Sequence, residues 1–443
     1  MTTYNEILEI IKENILDFQE VSVESGIRRD LESENINKKA SIFIGVRRSG
    51  KSTYLFQIIN KLLKNGVSKQ NILYLNFFDD RLHHLQKIEA KVILDAYFSL
   101  YPEKKNSETI YCFFDEIQIL PKWEPFAERV LRTEKSEVYI TGSSAQMLSK
   151  EIATQMRGRS LTWEIFPFSF TEFLRYKKLD IKTDSKNLSS KNILLLNKAF
   201  DEYWETGGFP EVINLKENLR VKVHQEYFQS ILFKDLIERH NISEPKTLID
   251  LAYFLIHNIA SLYSINSLTN YLKSLGHKTS KTTVSNFLFW IEDCYFLFTV
   301  KLFDASLRRS NLNQKKIYCI DHAIVNSISS KILVNSGHLL ENFIFITLRR
   351  KYQEIYYYRT KNNKEVDFIV ITDKREKILI QVCQSLDTSK KTRDREITAL
   401  VEAIHELNLN TGFIITQNES QTIKEEHKTI EVIPAWKFAL FNY

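Results

Sequence analysis

Two stretches of this chain carry residues whose types and spacing could do phosphate chemistry. The first is Gly45-Val46-Arg47-Arg48-Ser49-Gly50-Lys51-Ser52-Thr53, which fits G-x-x-x-x-G-K-[ST] at every fixed position. Backbone N–H groups of such a loop curl around phosphate oxygens. Lys51 is placed to reach the β- and γ-phosphates and Ser52 to hold Mg²⁺. Gly45, Arg48, Ser49, Gly50 and Thr53 complete the expected cradle. The second stretch is Asp115-Glu116, directly after Ile110-Tyr111-Cys112-Phe113-Phe114. A carboxylate at such a strand end can orient Mg²⁺ through its water shell. A second one can accept a proton from an attacking water. ATP and Mg²⁺ are therefore the expected ligands, with Asp115 on the metal side and Glu116 as base.

Two further positions follow from the charge that develops on a transferred phosphoryl group. Thr141-Gly142-Ser143-Ser144 ends another apolar run. Ser143 is expected to sense the γ-phosphate, while an N-cap role for Ser143 or Ser144 stays open. In Met156-Arg157-Gly158-Arg159-Ser160, Arg159 is the first candidate for a γ-phosphate arginine and Arg157 the second, in cis or from a neighbouring subunit.

The elements that must position these residues alternate in type. Strands are predicted near 40–44, 71–78, 109–116, 137–144 and 161–165. Helices are predicted from Lys51, near 85–100 and over 122–131. The first helix has Leu55, Ile58, Ile59, Leu62 and Leu63 at helical spacing and stops at Asn65-Gly66. Such alternation builds a parallel sheet with helices on both faces, with active residues at the strands' C-terminal ends. Arg28 and Arg29, upstream of the first strand, are expected to be a solvated pair, with an approach to the nucleotide as the alternative.

Composition narrows the class. A chain of 443 residues implies several domains, and 43% hydrophobic residues suffice for several cores. No apolar run approaches the ~20 residues of a membrane span, and the N-terminal segment lacks a signal-peptide pattern. The four cysteines are too scattered for a metal site or disulfide framework. The reading is therefore a cytoplasmic protein without membrane contact. A net charge of +6 permits nucleic-acid contact without arguing strongly for it.

GVRRSGKST, FFDEIQ, ITGSSAQML, MRGRS and IFPFSFTEFL, in this order, resemble the AAA+ superfamily ATPases of bacteria and archaea that carry a C-terminal domain of unknown function. Thr206-Gly207-Gly208-Phe209-Pro210 is similar to a second family motif. The resemblance covers nearly the whole chain. It implies ATP binding, hydrolysis, a winged-helix segment and a nuclease-like C-terminal fold, and AAA+ relatives often form rings. The expected layout is an N-terminal helix and connector (1–39), a P-loop ATPase domain (40–178), a helical lid (179–260), a winged-helix-like segment (261–312) and a nuclease-like domain (313–443). The fold class is thus α/β: a P-loop NTPase parallel sheet with helical lid, winged-helix segment and restriction-endonuclease-like domain. The lid is expected to pack on the sheet domain and to move with nucleotide state.

In the winged-helix segment, Lys278, Lys281, Thr282, Thr283, Arg308 and Arg309 are types that reach DNA phosphates and base edges. Duplex DNA is the expected partner there, with a protein partner as the alternative. The C-terminal order of elements resembles the PD-(D/E)xK nuclease fold, whose site needs a helix Glu, a strand Asp and then Glu-x-Lys. Glu341 and Asp367 fit the first two places. Gln381 and Cys383 stand in the last two and cannot replace their chemistry, so the domain is expected to be inactive. Glu365 as a substitute ligand is the weaker alternative. Three functions follow: an ATPase that rearranges DNA- or protein-binding domains, a slow ATP switch, and an ATP-gated nuclease, the last opposed by Gln381 and Cys383.

Overall fold

The protein is described by a computed structural model at residues 4–87, 89–143, 154–179, 188–329, 335–387, 389–425 and 427–441. The chain divides into two compact units, 1–166 and 167–443.

The first unit is built on a five-stranded sheet of β1 (Ala40–Ile44), β2 (Ile72–Asn76), β3 (Ile110–Asp115), β4 (Ser136–Gly142) and β5 (Ser160–Glu164), in the order β2-β3-β4-β1-β5. Every pairing is parallel, with Ile42 opposite both Ile140 and Thr162, and Tyr74 opposite Phe113. β1 is buried at all positions, as a strand covered on both faces must be. Phe113 and Tyr139 stack with ring centroids 4.7 Å apart. The helices are α1 (Tyr4–Glu20), α2 (Lys51–Lys64), α3 (Lys91–Leu100) and α4 (Trp123–Thr133). Ile7, Ile11 and Ile15 recur at four-residue spacing and bury one face of α1. Because the strands are parallel, their C-terminal ends share one edge. That edge carries the glycine loop, Asp115-Glu116 and Ser143.

The second unit begins at Pro167, earlier than the expected boundary at 178. Hydrogen bonds to the backbone of Pro167 and Phe168 explain the shift. The Phe168 N–H donates to Gly208 O at 2.6 Å, the Tyr203 hydroxyl to Phe168 O at 2.7 Å, and Arg350 to Pro167 O at 2.7 Å. A Cβ at Gly208 would lie 2.3 Å from Phe168 O, so the FPFSF and TGGFP motifs fit against each other through a residue without a side chain. The helices between 170 and 257, including Phe170–Tyr176, Ser190–Thr206, Glu217–Ser230 and Pro245–His257, belong to this unit.

Its sheet has nine strands: β6 (Leu262–Tyr263), β7 (Leu297–Leu302), β8 (Lys315–Cys319), β9 (Glu354–Arg359), β10 (Glu365–Ile371), β11 (Lys377–Val382), β12 (Thr411–Thr416), β13 (Gln421–Glu425) and β14 (Lys428–Pro434), ordered β13-β14-β12-β11-β10-β9-β7-β8-β6. Two helices, Ile265–Ser274 and Lys281–Asp293, are followed by β7 and β8 as an antiparallel hairpin. That hairpin extends past the expected limit at 312. It also joins the C-terminal strands directly, since β7 pairs in parallel with β9. The helix Ser336–Arg349 docks on β8 through Asn342, whose side chain bonds both the N–H and the carbonyl of Cys319. A core of Val366, Ile369, Leu379, Leu400, Ile404, Ile414 and Val432 lies under the helix Lys390–Glu406.

Candidate active site

The glycine loop turns the chain from β1 into α2 by two left-handed residues, Arg48 at φ 63° and Gly50 at φ 95°. Gly45 is the tightest point. A Cβ there would lie 2.1 Å from the Ile165 carbonyl oxygen, so the loop can start only on a residue with no side chain. Lys51 opens α2 and is 4% exposed. Its ammonium donates to Gly45 O at 3.1 Å and Val46 O at 3.2 Å, and lies 3.5 Å from Glu116 Oε1. The positive end of the α2 dipole faces the same place.

Asp115 ends β3 and is buried. It accepts from Tyr74 Oη at 2.9 Å, from the Thr141 hydroxyl and from Ser52. Burial pushes its carboxyl above the usual range, and the Thr141 and Ser52 hydroxyls oppose that rise. Glu116 takes a left-handed backbone at φ 54°, an uncommon conformation for a residue with a side chain and one that tends to cluster at functional sites. Thr141 stabilises it: the Glu116 N–H donates to Thr141 Oγ1 at 2.9 Å. Burial opposes ionisation of Glu116, but Lys51, the Gln118 amide and Arg47 outweigh it and hold the carboxyl below its ordinary value. The charges that keep Glu116 ionised also lower its basicity, so its place beside the loop, rather than its pKa, fits it to accept a proton. Ser143 is buried, and its Oγ accepts from Gln118 Nε2 at 3.3 Å, while the same amide donates to Glu116 Oε2 at 2.6 Å.

These groups fit a magnesium triphosphate. The Gly45 cradle excludes any side chain. The Ser49 hydroxyl is buried with no hydrogen-bond partner among the described residues. The hard oxygen donors of Ser52 and Asp115 are already linked. Ser52 and Asp115 would hold the metal and Lys51 the phosphates.

Not every expected residue arrives here. Arg159 precedes β5, and its carbonyl accepts from Ala40 N at 2.9 Å, at the start of β1. Five strand residues separate that point from Gly45, about 16 Å at the usual rise. The Arg159 side chain pairs with Glu128 at 3.4 Å. Within one chain it therefore stands at the opposite edge of the sheet. Arg157 is exposed, with φ 50°. The Thr53 methyl points toward Gly26, where an added Cβ would lie 2.7 Å from it. Ser144 lies outside the described residues.

Other residues join the site in roles not assigned to them from the sequence. Arg29 is not solvated: it is buried, its Nη1 donates to Ser49 O at 2.8 Å, and its Nη2 donates to Phe166 O. Tyr74, Thr141 and Gln118 complete the acid pair. Thr141 carried a usable signal, a hydroxyl at the end of the strand beside β3. Arg29 carried none, because nothing in an irregular connector predicts burial.

In the second unit, Glu341 and Asp367 are brought together, with an unforeseen partner between them. The Lys316 ammonium lies 2.8 Å from Glu341 Oε1, from Glu365 Oε1 and from Asp367 Oδ1. Burial works against its charge, and the acids, Asp367 and Glu341 foremost, more than compensate and raise its pKa. Burial and Asp367 raise the pKa of Glu341. Gln381 is near: its Oε1 accepts from Asp367 N at 3.2 Å, and its Nε2 donates to Glu396 at 2.6 Å. Cys383 belongs to the apolar core. Lys278, Lys281 and Thr282 are exposed around the start of the helix Lys281–Asp293, which Ser280 caps, and Thr283 Oγ1 lies 2.9 Å from Ser280 Oγ. Arg308 and Arg309 are exposed on a short helix between β7 and β8, with Arg309 3.2 Å from Asp304.

Comparison with known proteins adds the following. Residues 37–174 match a family described as an AAA domain. Residues 197–332 and 336–438 match two domains of unknown function, DUF8612 and DUF4143. The "Uncharacterized protein MJ1544" of Methanocaldococcus jannaschii is 36% identical over 97% of this chain and 95% of its own. An "Uncharacterized protein" of Haemophilus influenzae is 31% identical over 74% of this chain and 78% of its own. Among solved structures, the Aeropyrum pernix ORC1 protein in complex with DNA covers 73% of this chain and 92% of its own at 12% identity and a TM-score of 0.32. AMPPCP-bound DnaA from Aquifex aeolicus covers 63% and 86% at 15% identity and a TM-score of 0.26. Scores this low carry no argument.

Proposed function

Because this chain belongs to one protein family with those two relatives and has an AAA domain toward its N-terminus, we propose that it binds ATP and hydrolyses it to ADP and phosphate. One observation carries the reading: a glycine-loop lysine lies 3.5 Å from the second acid of an Asp-Glu pair whose first acid is bonded to the loop serine. Lys51 and the loop amides bind the triphosphate. Ser52 and Asp115 hold magnesium, which when bound offsets phosphate charge. Glu116 takes the proton of the attacking water. Gln118 orients Glu116 and ties it to Ser143, which senses the γ-phosphate. Hydrolysis then rearranges the second unit, where Lys278, Lys281, Thr282 and Thr283, with Arg308 and Arg309, contact duplex DNA. A protein partner is the alternative occupant of that surface.

A slower, switch-like use of ATP is favoured by one observation, the place of Arg159 at the far edge of the sheet. With that arginine, turnover rises only when a second subunit supplies it, so the protein acts as an oligomer. The test is ATP hydrolysis with and without duplex DNA and across protein concentration, with Lys51→Ala as control. DNA-stimulated turnover supports the first reading. Tight ATP binding with no turnover at any concentration supports the switch. No affinity for MgATP sinks both.

A further inference from the structure

We propose that Lys316 is the resident cation of the second unit's carboxylate cluster, filling the place a divalent metal would take and closing the cluster to one. Three acids from two elements meet at a single point: Glu341 from the helix Ser336–Arg349, and Glu365 and Asp367 from β10. Glu365 and Asp367 are two residues apart and so share a face of the strand. Three hard oxygen donors converging in this way are what Mg²⁺ or Mn²⁺ requires. Here each lies 2.8 Å from the Lys316 ammonium. An ammonium has three protons, and three carboxylates receive them.

Two further donors reach the same acids. Tyr318 Oη donates to Glu341 Oε1 at 2.6 Å, and Val382 N donates to Asp367 Oδ2 at 2.9 Å. The lysine cannot withdraw easily. It is 2% exposed and stands on the strand next to the sheet's edge, with β8 paired at Lys316 to Leu262 on one side and Val300 on the other. Moving the ammonium out of the cluster would strand a buried charge without its partners. Gln381, neutral and bonded to Asp367 and Glu396, adds no further charge for a metal to balance. The cluster is therefore a metal-independent fastening of helix, β8 and β10.

The test is Mn²⁺ binding to the nucleotide-free full chain, followed by electron paramagnetic resonance and thermal melting. Wild type and Asp367→Asn should give the same Mn²⁺ isotherm, because the cluster takes none. Lys316→Met leaves three facing carboxylates. It should gain one Mn²⁺ equivalent at least about 100-fold tighter than wild type, and lose it again when Asp367→Asn is added. Its melting temperature should fall by roughly 10 °C and recover in Mn²⁺ but not in NaCl. Should Lys316→Met fail to fold, Lys316→Met with Glu341→Gln removes one charge of each sign and should still bind Mn²⁺ through Glu365 and Asp367. The proposal is overturned if wild type binds Mn²⁺ in a manner that Asp367→Asn abolishes, or if neither lysine variant gains Mn²⁺.

Discussion

Each unit holds a buried lysine among acids at the end or side of a strand, and the two lysines are prepared for different work. Lys51 lies 3.5 Å from Glu116, and its hydrogen bonds go to loop carbonyls. Asp115 is served by hydroxyls rather than by a cation. Lys316 is shared among three carboxylates at 2.8 Å. The difference comes from the backbone. Lys51 stands on a glycine loop at a helix N-terminus, where main-chain amides and the dipole add positive potential and an anion can enter. Lys316 stands inside a paired strand, where only side chains surround it. A lysine beside acids stands open to an anion in one setting and serves as an internal counter-ion in the other.

The largest expected effect comes from removing each lysine in turn. Lys51→Ala should lower ATP turnover by at least 10²–10³-fold, the range for losing one preorganised charge at a reacting centre. Lys316→Met should change turnover per folded molecule less than about twofold, and equal losses would erase the contrast. Next, Glu116→Gln should keep ATP affinity while turnover falls by roughly 10²-fold, as loss of a general base implies, measurable by equilibrium binding beside phosphate release.

Acid should also bear on the buried histidines of the second unit. Burial holds His224 down to about 4, and also lowers His322. The unfolded chain, with an ordinary value near 6.5, takes up the proton first as pH falls. The stability His224 contributes is therefore full above pH 6.5 and is lost between 6.5 and 4, about 3 kcal/mol in all. Asp115 works in the opposite direction, because its carboxyl is raised in the folded state and acid relieves it. Glu341 in the second unit is raised as well and Glu116 in the first is lowered, so the histidine must be isolated by substitution. Between pH 7 and pH 5, His224→Gln should lose less melting temperature than wild type. The smallest effect concerns Arg29. Arg29→Met should weaken MgATP binding by about tenfold, the loss of one charged hydrogen bond to the loop. Arg29→Lys should recover part of it, and unchanged affinity in both variants would make Arg29 a mere filler.

Much of the first unit was legible because its signals are local. The apolar runs ending in Gly45, Asp115 and Gly142 mark strands wherever they occur, and the parallel order puts those ends together. Arg159 shows where locality fails. Its motif sits close in sequence to the site's last strand but precedes that strand, so parallel pairing carries it to the far edge. The second unit was less legible: several of its long helices and most strands were readable, yet the start of the helix Ser190–Thr206, the short helices His322–Ile328 and Ala435–Leu440 and the final hairpin of β13 and β14 were not, and the β7–β8 hairpin and the C-terminal strands share one sheet through β7 and β9. Nothing local encodes that pairing.

The amino-acid sequence alone determined the glycine loop, the acid pair and the neutral Gln381, because a residue's chemistry needs no partner to be known. Only the tertiary structure decided that Arg29 braces the loop, that Arg159 stands away from it, and that Lys316 fills the acid cluster. Each of those depends on residues 20 to 137 positions away in the chain, and the energy of a buried charge is set by what surrounds it.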